Sequence, residues 1–231
     1  MEVCTNMLLT DKLKRQIDMI NQHHCLMVFP IKNKPDIMSL WKALYPRTTM
    51  RWEWTEDADN RVVQLWHSRE QLSKSGEVVY SKWFQNRATF FSKKLFVQLL
   101  AYFETAKTYD MILNGNKNQS RNMRLILEAL DMDSPLSTKQ VKEACELQGR
   151  LNEPAFNKTT KYLWQNLCLI AFGEINDSSF PSLGYASPKI LFENLWNESQ
   201  KISVAAAEKE IVFLLKSQPE VLKWLGKMKK P

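Results

Sequence analysis

The sequence predicts an α+β fold that is mostly α, and three observations predict it. Apolar residues recur at helical intervals through most of the chain, each half closes its helical stretch with a short β-hairpin pattern, and only 6 Gly and 9 Pro interrupt 231 residues. Hydrophobic residues make up 44% and charged residues 25%, a globular balance that argues against disordered, collagen-like and low-complexity classes. A mass of 27.1 kDa suits one large domain or two small ones. The segment KTYDMILNGNKNQ (107–119) breaks the apolar period, so the chain divides into an N-terminal module, 1–110, and a C-terminal module with trailing helices, 119–231.

In the first half, Leu13, Ile17, Ile20 and His24 mark an amphipathic helix, and CLMVFP (25–30) a strand that packs Cys25. PDIMSLWKALYP (35–46) sets Ile37, Leu40, Trp41 and Leu44 on one helix face, while RWEWTE (51–56) alternates Trp with charge as a half-buried strand does. A helix from about Asp59 to Leu72 turns Val62, Leu65 and Trp66 inward. Arg69 falls on that same side, where it either pairs with Glu53 or Glu56 or lines a cleft. After Gly76, EVVYSKWFQNRATFFS (77–92) reads as a hairpin turning near Gln85 and Asn86, with Lys82, Arg87, Lys93 and Lys94 about it. Its aromatics, Tyr80, Trp83, Phe84, Phe90 and Phe91, either stack bases or sugars while the cations engage phosphate, or line the inner side of the hairpin.

The second half reads more clearly. SRNMRLILEALD (120–131) spaces Met123, Leu127 and Leu130 as a helix, and Ser134, Pro135 and Leu136 form a short extended piece. Ser137 or Thr138 caps STKQVKEACEL (137–147), with Val141 and Cys145 inward, before a turn at Gln148, Gly149 and Arg150. A third helix opens near Asn152 with Pro154 in its first turn. It gathers Phe156, Thr160, Leu163 and Leu167 into one stripe and leaves Lys158, Lys161 and Gln165 opposite, with Asn157 at the edge. CLIAFGEI, NDSS and PSLGYAS (168–187) follow as strand, loop and strand, and a helix begins at Ser187 and Pro188. Trailing helices carry Ile211, Leu214, Leu215, Val221, Leu222 and Leu225.

Helix, short strand, helix, turn, helix, strand, wing, strand is the order of a winged helix-turn-helix, so the expected architecture is tandem winged helix-turn-helix modules with short β-hairpin wings. That topology lays the third helix in the major groove of duplex DNA. Asn157, Lys161 and Gln165 are of the types that meet base edges, whereas Arg150 and Lys158, with Lys82 and Arg87 of the first hairpin, suit phosphate. An ordinary solvated helix also presents a basic outer face. The 32 Lys and Arg against 25 Asp and Glu give a formal charge of +7, which permits a polyanion partner.

Other chemistries are not expected. Four cysteines without a CxxC pair exclude a zinc ribbon and a thioredoxin-type motif, and point to reduced thiols in a cytoplasmic protein. His23, His24 and Cys25 are adjacent, so their side chains diverge and no metal site is expected. No phosphate loop, GxGxxG or GxSxG occurs, so no small-molecule cofactor is expected either. Neither a secretory signal nor an apolar run of membrane-spanning length is present, so no membrane association is expected. The oligomeric state is not legible.

Together RQIDMIN (15–21), CLMVFP, PDIMSLWKAL, VVYSKWFQNRATFFS (78–92) and LSTKQVKEACELQGR (136–150) resemble the AlkZ/YcaQ-like winged-helix DNA glycosylases, above all the short AlkZ-related branch, from about Gln16 to Trp196. The resemblance implies excision of alkylated or crosslinked bases from duplex DNA. It also implies a catalytic Gln-x-Gln or Gln-x-Asp triplet, met here only by Gln16, Ile17 and Asp18. The carboxylate of Asp18 suits an oxocarbenium-like state or the activation of water, and the amide of Gln16 suits holding that water. The same triplet also fits the solvent side of an ordinary helix. The chain has no room for the further domain that follows the winged helices of the larger enzymes. Three functions stay open: a repair-related DNA-binding protein hydrolysing N-glycosidic bonds, a noncatalytic DNA-binding transcriptional regulator, and a module for protein contacts.

Overall fold

The computed structural model describes residues 10–52, 60–115, 121–177 and 181–228. The first half runs α1 (Asp11–His23), β1 (Cys25–Met27), α2 (Leu40–Leu44), α3 (Asn60–Lys74), β2 (Val78–Ser81) and β3 (Thr89–Ser92). Then α4 (Lys93–Tyr102) and α5 (Thr105–Asn114) lead to the second half. It runs α6 (Arg121–Met132), β4 (Leu136–Ser137), α7 (Thr138–Ala144), α8 (Glu153–Gln165), β5 (Ile170–Ile175) and β6 (Ser182–Ala186). Four helices follow: α9 (Pro188–Leu191), α10 (Glu193–Ser199), α11 (Val204–Leu214) and α12 (Pro219–Met228).

Each half therefore repeats helix, strand, helix, helix, strand, strand. The strands join in one sheet ordered β1-β3-β2-β5-β6-β4, which reads alike from either edge. Within each half neighbouring strands are antiparallel, and the halves meet where β2 sets Tyr80 opposite Ala171 of β5. The duplication lies in element order and pairing, without a repeat in the sequence.

Local chemistry explains the element ends. The Thr10 hydroxyl accepts from the Leu13 amide to start α1, and Ser92 caps α4 through Leu95. Ser137 starts α7 with a full capping box, its hydroxyl accepting from the Gln140 amide while the Gln140 side chain takes the Ser137 amide. In α8 the buried Thr159 and Thr160 donate back to the carbonyls of Ala155 and Phe156, so neither hydroxyl is orphaned inside. The α8 stripe of Phe156, Thr160, Leu163 and Leu167 is buried as its spacing predicts.

One expectation for α3 is corrected. Trp66, expected inside, is 38% exposed, because at the helix surface its ring lies flat under the Arg69 guanidinium, 4.0 Å away, instead of entering the core. Arg69 finds its carboxylate on Glu174 of β5, while Glu53 and Glu56 lie outside the described residues. Helix α2 is also shorter than PDIMSLWKALYP suggests, with Ser39 as its cap. Of the cations placed about the first hairpin, Lys93 and Lys94 sit at the start of α4, paired with Glu77 and Glu210.

A bulge in β5 makes the Arg69 contact. Pairing with β6 shifts register between Ala171 and Glu174, and Gly173 between them has φ +63°, with its amide donating to Ser73 Oγ at 2.8 Å. A Cβ there would lie 2.1 Å from the Lys74 side chain. The trailing helices close over the first half: α11 packs on α4, Gln218 donates to the His23 carbonyl at 2.6 Å, and Trp224 meets Trp83 edge-on with centroids 4.4 Å apart. Cys25, Cys145 and Cys168 are buried free thiols; burial raises all three, Cys145 to about 11 and Cys168 to about 12. No helix among the described residues is long and apolar enough to cross a membrane.

Removing the Glu174 charge strands the Arg69 guanidinium in a site where its side chain is 9% exposed. Glu174→Gln should lower unfolding free energy by about 2–3 kcal/mol in denaturant titration, the partial exposure of Glu174 tempering the full cost of a broken buried pair.

Candidate functional site

Two places gather the residues that sequence reasoning singled out. The first is the outer face of α8. Asn157, Lys158 and Lys161 are all exposed along it, Gln165 is half-buried near its end, and Tyr162, itself unforeseen, is exposed beside them. Arg150 is exposed at the turn leading into the helix. Among the described residues none of Arg150, Lys158 and Lys161 has an ion-pair partner, whereas Lys142 behind them is held by Glu153. Helix α8 rests on the turn Phe84–Asn86, which joins β2 to β3 with Gln85 and Asn86 at positive φ. This is the turn expected near Gln85 and Asn86. Exposed Arg87 follows it, and Lys34 reaches in to donate to Gln85 Oε1 at 3.0 Å. Helix α8 thus packs on a loop of the first half that carries exposed Arg87. Lys82 precedes the turn and is half-buried instead of projecting with Arg87.

The hairpin aromatics behave as an inner side: Tyr80, Trp83, Phe84, Phe90 and Phe91 are all buried. Trp52 and Trp66 do reach solvent, and they are linked through Phe29 with centroids 4.8 and 6.3 Å from its ring.

The second place is α1. Positions two apart on a helix stand about 200° apart around its axis, and the structure shows the result. Gln16 is 1% exposed and Asp18 is on the outside. The side-chain oxygen of Gln16 has no hydrogen-bond partner, which is uncommon for a buried amide. Gln16 borders a cavity of about 310 Å³, lined also by Asp11, Lys12, Arg15, Leu44 and Tyr45. The carboxylate that shares this cavity with Gln16 is thus Asp11, not Asp18. Helical phase was the available signal for the burial of Gln16, but Asp11 and Tyr45 join it only through the packing of α1 on α2. A larger hollow of about 770 Å³ between α4–α5 and α10–α11, lined by Thr105, Asp110 and Ser203 among others, contains none of the expected site residues. Among the described residues no group of three His, Cys, Asp or Glu side chains is placed to hold a metal.

An unpartnered buried amide is a stability cost. Gln16→Met, which keeps the side-chain volume and removes the orphaned oxygen, should raise unfolding free energy by about 1 kcal/mol in denaturant titration.

Neither a curated protein nor a solved structure matches the chain. The family model described as AlkZ related matches residues 11–227, from the first residue of α1 almost to the end of α12. That span takes in both halves, the shared sheet and the trailing helices, so the chain belongs to the AlkZ-related family, a kinship with DNA repair glycosylases.

Proposed function

We propose that the protein binds duplex DNA through two winged helix-turn-helix modules, with α8 entering the major groove. The observation that carries this reading is the outer face of α8: exposed, hydrogen-bonding, and bearing cations without partners in the described part of the molecule. Further support comes from the strand pairing of the second half, where β6 lies between β4 and β5, and from its recurrence in the first half. In this reading Asn157, Lys161 and Gln165 face base edges. Arg150, Lys158, Arg87 and Lys82 lie along the phosphates. The partner is duplex DNA with no small-molecule cofactor, and the setting is the cytoplasm. Removing both Lys158 and Lys161 as alanines should lower the slope of log affinity against log salt by about 2, read by fluorescence anisotropy on a labelled duplex. An unchanged slope rejects the placement of α8.

The family kinship favours a catalytic form of this reading, hydrolysis of the N-glycosidic bond of an alkylated or crosslinked base, and the orphaned oxygen of Gln16 beside a cavity supports it. Gln16 would orient water there, with a carboxylate stabilising the developing sugar cation. Asp18 is the carboxylate of the triplet and Asp11 the one at the cavity, so the two are compared directly. A duplex carrying N7-methylguanine, incubated and then heated in alkali, should break at the lesion. Activity lost in Gln16→Leu and Asp18→Asn supports the triplet, and loss in Asp11→Asn instead moves the carboxylate to the cavity. DNA binding without breakage leaves the noncatalytic regulator.

A further inference from the structure

Leu151 is the most exposed of the large apolar side chains among the described residues, at 95%. A lone leucine at a surface is ordinary. The setting of this one is not. Arg150–Asn152 forms a single 3₁₀ turn that runs directly into α8 at Glu153. Gly149 opens the turn at φ +84°, the Asn152 amide donates to the Gly149 carbonyl at 3.1 Å, and the Asn152 side-chain nitrogen donates to the Gln148 carbonyl at 2.8 Å. Glu153 is then tied to Lys142 of α7. Local hydrogen bonds thus fix the backbone that carries Leu151 outward.

Asn152 and Glu153 both have right-handed helical backbone angles, so the helical phase runs from the turn into α8 without a break. Leu151, Ala155, Lys158 and Tyr162 follow at steps of four, three and four, and all four are exposed. An apolar side chain therefore stands at the leading end of the outer face. Beside it Arg150, Lys158 and Lys161 have no ion-pair partner among the described residues. A face of free cations complements a polyanion, and the leading end of a helix in the major groove is the end that meets base edges. An aliphatic side chain has no hydrogen bond to offer there. Among the four ordinary bases, the apolar group displayed in that groove is the 5-methyl of thymine.

We propose that Leu151 reads thymine, packing on the 5-methyl group of the base under the leading end of α8. This rests on the reading of α8 as the element in the major groove, and it adds a base preference at one position. The cations of the same face hold phosphates of any sequence, whereas Leu151 gains only where a methyl meets it. Burial of one such carbon corresponds to about fourfold in affinity.

The test uses the full chain to select duplexes from a random pool at low salt. In the enriched duplex each thymine is then replaced singly by uracil, which keeps every hydrogen-bonding group and lacks only the methyl. Affinities are read by fluorescence anisotropy. The expected result is one replacement that weakens the wild-type chain about fourfold and leaves Leu151→Ala and Leu151→Ser indifferent. Both variants should keep the wild-type circular dichroism spectrum, since the side chain they shorten is exposed, and the wild-type salt slope, since they remove no charge. A uracil penalty that persists in Leu151→Ala sets the methyl against another residue and overturns the proposal. Binding with no enriched sequence, or with no uracil-sensitive position, also overturns it and leaves the DNA-binding reading standing. Failure to bind any duplex at low salt overturns both.

Discussion

The guanidinium of Arg69 ties α3 of the first half to β5 of the second through Glu174. The central strands β2 and β5 meet at one paired position, Tyr80 opposite Ala171, too little ladder to fix two halves alone. A further grip comes from α3 of the first half lying on β5 of the second. Arg69 takes Glu174, Ser73 takes the amide of Gly173, and the Lys74 stem covers the backbone of that glycine. All three contacts require the bulge, and the bulge requires a residue at ease with positive φ. A buried ion pair is poor evidence of net stability, but this one sets position: it matches one turn of α3 to one kink in β5.

What the sequence showed and what it hid divide along a physical line. Contacts with a short period were legible. The α8 stripe, the capping Ser137, the two strands around NDSS and the opening of α9 at Pro188 all follow from residues within a few positions of one another. Contacts closed by the tertiary fold were not. Arg69 was visible as an oddity on the inner side of its helix, yet its partner lies 105 residues away and nothing local announces it. Trp66 shares the helical phase of a core residue, yet it stacks at the surface against Arg69 and Phe29. For the Gln16 triplet the helical period itself separates the two side chains, a consequence that appears as soon as α1 is taken as a helix. The arrival of Asp11 and Tyr45 beside Gln16 is again tertiary.

The functional features fall on separate elements of one scaffold. The α8 face and the turn beneath it bring to the surface cations that have no ion-pair partner among the described residues, while the Gln16 cavity is built between α1 and α2 of the other half. The outer face of α8 and the pocket beside Gln16 therefore share no side chains. Such separation lets affinity and chemistry be varied independently, as functional residues are grafted onto a fold that the core maintains.

The docking of Trp224 against Trp83 and Phe84 bears on how the chain matures. The aromatic interior around the first hairpin is completed by a residue about 140 positions downstream. During synthesis, that hairpin emerges long before its cover and must wait with its rings unshielded. The first half therefore completes its aromatic packing only once α12 has been synthesised, so the last described helix sets when this half reaches its final form.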